Sequence, residues 1–252
     1  MPDLTSDNIR YLLTLPPEEI VRWYQSKGYR FSWNWQDTWQ SAHTRVRTVA
    51  KVMKLDILQA IYENVDKIFT EGITEQQFRR NLEYQLRSLG WWGKMRADEV
   101  PGYDPNLGVE PDKIVQLGSP RRLKIIYQTN ARVGYSAGRY NSFMQNTASR
   151  PYWQYKQLER KNRRIEHARY ADKVFRFDDP IWDHIFPPNG FNCGCYIIAL
   201  TKDEVASRGL KIWNGKDVDV EVAEGWDFNP AKDYASWKPD LSKYDDDIRN
   251  QY

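Results

Sequence analysis

Cysteine is scarce: the chain has two in 252 residues, Cys193 and Cys195. That excludes a disulfide-stapled scaffold and fits a reducing compartment. The two do not pair readily with each other, because a disulfide needs Cα atoms about 5.5 Å apart in a tightly limited geometry. Long apolar runs are missing as well, and none approaches the ~18 residues that suggest a membrane-spanning helix. The opening "MPDLTSDNIRYLLTLPP" carries acidic residues where a secretory leader carries basic ones. The expectation is a soluble protein kept in a cytoplasm, with no membrane partner. Neither charge sign is in excess, since 37 Lys plus Arg face 34 Asp plus Glu for a net charge of +3. Nothing pulls the whole chain toward nucleic acid or anionic lipid, so any such contact has to be local. No glycine-rich phosphate loop occurs.

What is abundant is aromatic surface, with 11 Trp and 16 Tyr. Such rings suit cores and also suit faces that dock on other proteins. The first ninety residues read as a helical region, residues 1–90. "PPEEIVRWYQSKG" has Pro and Glu in a first turn and Gly28 as a stop. A second helix is expected from about Asp37 to Lys54. Leu58, Ile61, Tyr62, Val65, Ile68 and Phe69 then follow the spacing of an amphipathic helix ending before Gly72. Thr74 with Gln77 makes a capping box for another, with Phe78, Leu82, Leu86 and Leu89 as its stripe. These stripes are read as helix packing within one bundle.

From Gly90 the period dissolves, and residues 91–118 read as a Gly-, Pro- and Trp-rich connector. Trp91 and Trp92 at its start are candidates for an exposed anchor on a partner. Ser119 as N-cap and Pro120 at the first helical position open a long helix, broken or closely packed at Gly134 and Gly138. After Pro151 the period changes to two, which makes "YWQYKQLE" a strand with Trp153 and Tyr155 on one face. "RKNRRIEH" is a basic turn, "CYIIAL" a second strand, and 209–252 a polar tail. The fold class that results is α+β, with a helical N-terminal part, an extended connector and a small mixed domain over 119–208.

In an extended strand Cys193 and Cys195 project from one face. His167 and His184, with Asp172, Asp178, Asp179 and Asp183, are the neighbours in sequence that could join them. Thiolates and imidazoles together form the usual zinc shell, and His167, Cys193 and Cys195 are the metal candidates. Paired zinc cysteines in a standard finger are commonly two to four residues apart, however. The preferred reading is therefore that the thiols are small buried hydrophobes and that no cofactor is bound, with zinc as the alternative. A Cys/His nucleophile pair lacks a helix N-terminus behind either thiol, so no catalytic residue is expected.

The stretch from Arg150 to Leu200 resembles the phage Mu F-like minor head proteins, also called head morphogenesis proteins. The residues that carry the resemblance are Arg164, His167, Asp178-Asp179-Pro180, Trp182, Pro187-Pro188, Gly190, Cys193 and Cys195. Likeness extends upstream through "GWWG" and "DTWQSAHTRVRTVAKVM", and downstream through "GWDFNPA". Asp172 stands where the pattern usually has glycine, and Gly194 where it usually has arginine. The resemblance implies a structural, non-enzymatic role among portal, scaffold and capsid proteins, in the host cytoplasm during assembly and then in the virion head. DNA contact would be secondary and local to residues 160–164. A metal-dependent hydrolase or nuclease would instead require carboxylates converging with His167 on a cation. The carrier domain of a polymorphic toxin would require a further module, and this chain is expected to end too soon after the cysteines to hold one.

Overall fold

The computed structural model describes residues 27–29, 31–34, 46–160, 163–229 and 232. The first expected helix lies almost wholly outside them. Two short strands, β1 (Gly28–Tyr29) and β2 (Val46–Arg47), pair in parallel with Gly28 opposite Val46. The helix expected to run to Lys54 is absent from its described part, residues 46–54, which is extended and then turns. Tertiary contacts override the local preference here. The Tyr62 hydroxyl accepts from the Thr48 N–H at 3.2 Å and donates to the Thr48 carbonyl at 3.1 Å, which occupies the groups a helix would use. Arg47 is buried and forks onto both Asp66 oxygens at 3.0 and 3.1 Å. Lys51 sits at φ 62°, a left-handed conformation that ends any helix.

Two helices then follow the apolar spacing, α1 (Leu55–Thr70) and α2 (Glu75–Ser88). Every apolar residue of the α1 stripe is buried. At α2 the capping box closes in both directions: the Gln77 N–H donates to Thr74 Oγ1 at 3.3 Å, and the Thr74 N–H donates to Gln77 Oε1 at 2.8 Å. Phe78, Leu82 and Leu86 form its buried side.

The segment read as an extended connector puts Trp91, Ala97, Val100, Val115 and Leu117 into the core. Its β3 (Lys94–Arg96) and β4 (Ile114–Gln116) form an antiparallel pair with Met95 opposite Val115. Helix α3 (Pro120–Gln145) starts where the Ser-Pro signal puts it, with Ser119 Oγ accepting from the Arg122 N–H at 3.2 Å. It runs unbroken through Gly134 and Gly138, both buried. The three long helices pack against one another.

The C-terminal half adds β5 (Tyr152–Gln157), α4 (Ile165–Ala168), β6 (Val174–Arg176), α5 (Trp182–Ile185), β7 (Cys195–Leu200) and α6 (Lys202–Ser207). The sheet is antiparallel in the order β6-β5-β7, with Trp153 opposite both Phe175 and Ala199. One side of β5 turns Trp153 and Tyr155 into the main core, where Tyr140 and Phe143 of α3 meet the indole. On the other side, Val174, Leu200 and Val205 make a small second cluster beneath α6. The described part of the expected tail packs on this unit, since the Trp213 N–H donates to the Val174 carbonyl at 2.8 Å and Trp226 is buried. The architecture is α+β, three long helices joined to a short antiparallel sheet. Among the described residues no helix is long and apolar enough to cross a membrane.

Candidate functional site

The site forms where the basic turn, β5, the Pro-Pro-Asn-Gly turn and the start of β7 meet. Its scaffold is a set of clamps on the turn over 187–194. Arg164 donates to the Phe191 carbonyl at 2.9 Å, and its guanidinium lies against Gly190, where a Cβ would stand 2.3 Å from Nη1. Gly190 also has φ 149°, so both space and backbone favour glycine there. Arg160 donates to the Asn192 carbonyl, and the Ser136 hydroxyl of α3 donates to the Pro187 carbonyl. The Pro187-Pro188 bond is cis. Inside the turn Asn189 is fully buried, accepting from the Tyr155 hydroxyl at 3.1 Å and donating to the His184 carbonyl at 3.2 Å.

These clamps bring three donor atoms together. His167 Nδ1 lies 3.6 Å from Cys193 Sγ and 3.5 Å from Cys195 Sγ, and all three atoms fall within 4.8 Å of one another. His167 and Cys193 are buried and Cys195 is half-buried. Cys195 opens β7, whereas Cys193 lies just ahead of the strand and is held by its N–H donating to the Gly190 carbonyl at 3.1 Å. Hydrogen bonding from Cys195 is the main influence holding the Cys193 thiol well below the usual thiol range, aided by His167 and opposed by burial. The same contact, with burial, pushes the Cys195 thiol up. Burial also raises the Tyr155 hydroxyl. Nearby Arg132 is shifted down by burial while the Cys193 charge opposes that shift, and its buried Nη1 has no hydrogen-bond partner.

Other residues singled out from the sequence serve elsewhere. His184 stays out of the cluster and pairs with Asp227 at 2.6 Å on the surface. Asp178 pairs with Arg176 at 2.9 Å, Asp183 with Lys232 at 2.6 Å, and Asp172 with Lys156. Asp179 accepts from the N–H of Ile181 at 3.0 Å and of Gly215 at 2.9 Å, pinning the 215 turn to α5. Trp182 is buried with its Nε1 donating to the Arg176 carbonyl at 2.9 Å. Among the described residues the donor cluster around His167 contains Cys193 and Cys195 and no carboxylate.

The two departures from the family pattern have visible consequences. Asp172 takes φ 63° in the hairpin, a left-handed turn that aspartate tolerates, and its N–H donates to the Tyr155 carbonyl at 2.8 Å. Over Gly194 lies the Arg160 guanidinium, 3.2 Å from where a Cβ would be. Positive charge beside the thiols is thus supplied from the neighbouring turn. Tyr155, Asn189 and Arg132 are the site residues not assigned to it from sequence. Asn189 is flagged only by its place between Pro188 and Gly190, and Arg132 carries no local signal.

Trp91 is not an exposed anchor. It is fully buried, with Nε1 donating to the Lys51 carbonyl at 2.7 Å and the Arg122 guanidinium 4.7 Å above its ring. Trp92 is half-buried under Arg87. Gly118 lets the pair close, because a Cβ there would meet the Trp91 carbonyl oxygen at 2.5 Å and the Trp92 ring at 2.6 Å. The single Gly-rich stretch that looked like a linker is a packing element.

A helical layer docked on a short antiparallel sheet, with Arg164, His167, Trp182, the Pro-Pro turn and the Cys-Gly-Cys segment folded into one clasp, defines the class. The chain belongs to the Phage Mu protein F like protein family, whose pattern matches residues 57–198. It is 41% identical over 230 residues to the protein of Escherichia phage Mu named "Putative capsid assembly protein F", covering 89% of this chain and 50% of that one. It is 40% identical over 193 residues to the "Mu-like prophage FluMu F protein" of Haemophilus influenzae, covering 77% of this chain and 44% of the relative. The chain therefore spans about half the length of the curated relatives it matches. No solved structure gives a significant match.

Proposed function

We propose that this chain is a structural minor head protein of a tailed bacteriophage, acting in head morphogenesis at or near the portal and influencing DNA packaging or delivery. The observation that carries the reading is likeness, across 89% of the chain, to a protein named for capsid assembly. The site supports it by what its residues do: Arg164, Asp179, Trp182 and Gly190 spend their polar groups and shapes on holding turns together. Such a clasp preserves a shape, which is what an assembly component presents to its neighbours.

The partners on this reading are portal, scaffold and capsid proteins, met in the host cytoplasm during assembly and then within the virion head. DNA contact is secondary. Arg160 and Arg164 are aimed at carbonyls of this chain, and Arg163 pairs with Glu159 at 2.8 Å, so much of the basic turn's hydrogen-bonding capacity is already used. Cross-linking of assembled heads followed by mass spectrometry tests the placement. Lysines of this chain should join predominantly to portal peptides, with fewer links to scaffold and major capsid protein. Links confined to nucleic acid, or to the capsid lattice far from the portal, would contradict it.

A further inference from the structure

We propose that His167, Cys193 and Cys195 bind a zinc ion, through the imidazole Nδ1 and two thiolates, as a staple between α4, the 187–194 turn and β7. Packed thiols were the preferred reading of the sequence, and the geometry now favours the metal. A neutral imidazole nitrogen makes one hydrogen bond, either as a donor or as an acceptor. Here a single Nδ1 faces two sulfurs at nearly equal range, 3.5 and 3.6 Å, so the imidazole itself can hydrogen-bond only one of them well. The same spacing suits a ligand set. With Zn–S near ~2.3 Å, Zn–N near ~2.05 Å and a tetrahedral angle, nitrogen and sulfur ligands stand about 3.6 Å apart.

Charge and composition agree with this. Two thiolates and a neutral imidazole around a divalent ion make a neutral unit, so the guanidiniums of Arg132 and Arg160 beside the sulfurs are not repelled. The chain holds only two cysteines and three histidines, and both cysteines and one histidine converge on this point. Cys-x-Cys spacing, unusual for a zinc finger, works because Cys193 lies off the strand and is turned by the Gly190 contact, while Cys195 is on it. Binding displaces any remaining thiol protons to solvent and forms two Zn–S bonds and one Zn–N bond. No redox partner is needed, and a fourth position is left for water or a partner's side chain.

The test uses the full 252-residue chain, purified without a polyhistidine tag and passed through metal-free buffer. Elemental mass spectrometry should find about one zinc per chain. Exchange for cobalt should produce a thiolate-to-cobalt charge-transfer band and the intense visible bands of a tetrahedral ion. Cys193→Ser, Cys195→Ser and His167→Gln should lose the metal and the bands, while His184→Gln keeps both. Should those variants not fold, the wild-type cobalt spectrum decides alone. Folded wild type that takes up no metal, or takes it up without a thiolate band, overturns the proposal, as does metal retained in all three ligand variants.

Discussion

Replacing Trp153 with alanine should destabilise the protein by about 3 to 5 kcal/mol, the range for deleting a large aromatic from a packed core. The indole is fully buried and sits among five rings: Trp182 at 5.6 Å, Tyr140 and Phe143 at 5.7 Å, Phe186 at 5.8 Å and Phe177 at 6.4 Å. Those rings come from α3, from the segment after β6, from α5 and from its C-cap, so the hole opens where the helical layer meets the sheet. Trp153→Phe should cost much less. It keeps most of the packing and removes an Nε1–H that is buried without a partner, a group whose loss relieves a penalty of about 1 to 3 kcal/mol. Urea unfolding midpoints of the three proteins measure the difference. Equal losses for Ala and Phe would contradict this account of the indole's packing.

Trp91→Ala should be comparably severe, about 3 to 5 kcal/mol, and Trp92→Ala mild, about 1 kcal/mol. Removing Trp91 strips a wholly buried ring, takes the indole donor from the Lys51 carbonyl and uncovers Arg122, whose pKa burial already lowers to about 10. That arginine donates to the Gln116 carbonyl at 2.7 Å and to the Ala50 carbonyl, so β4 and the 46–54 segment loosen together. Trp92 is half-buried, and it loses chiefly its contact with Arg87 at 4.7 Å. Thermal unfolding of the two single variants checks this. A Trp91→Ala protein as stable as wild type but unable to join heads would restore the exposed-anchor reading that burial rules against.

The elements readable in the sequence are those whose information is local. Helices α1 and α2 follow from apolar spacing and a capping box, α3 from Ser119-Pro120, and β5 from the alternation of Trp153 and Tyr155. The failures lie where distant residues decide. Residues 46–54 carry helix-compatible spacing, but Tyr62, which is 14 residues from Thr48, takes both backbone groups of that residue. The 91–118 stretch has a loop's composition, yet Trp91 finds its acceptor 40 residues away at Lys51.

The site divides the same way. Cys193, Cys195 and His167 were legible as a group from residue chemistry and proximity in sequence. His184 looked equally eligible and was drawn instead to Asp227, 43 residues onward, while Arg132 comes near Cys193 because α3 packs against β5. The resemblance to the family located the turn and its glycine. Only the packing of Arg164 against Gly190 shows why an arginine and a glycine 26 positions apart belong to one motif.

The most direct test of the assembly role is deletion of the gene for this chain from a phage genome that encodes it, with heads counted by electron microscopy and their DNA content measured. Loss of full heads, with aberrant or empty shells in their place and recovery on supplying the intact chain in trans, is the expected result. Full heads at normal yield and normal infectivity without the chain would contradict a role in head morphogenesis.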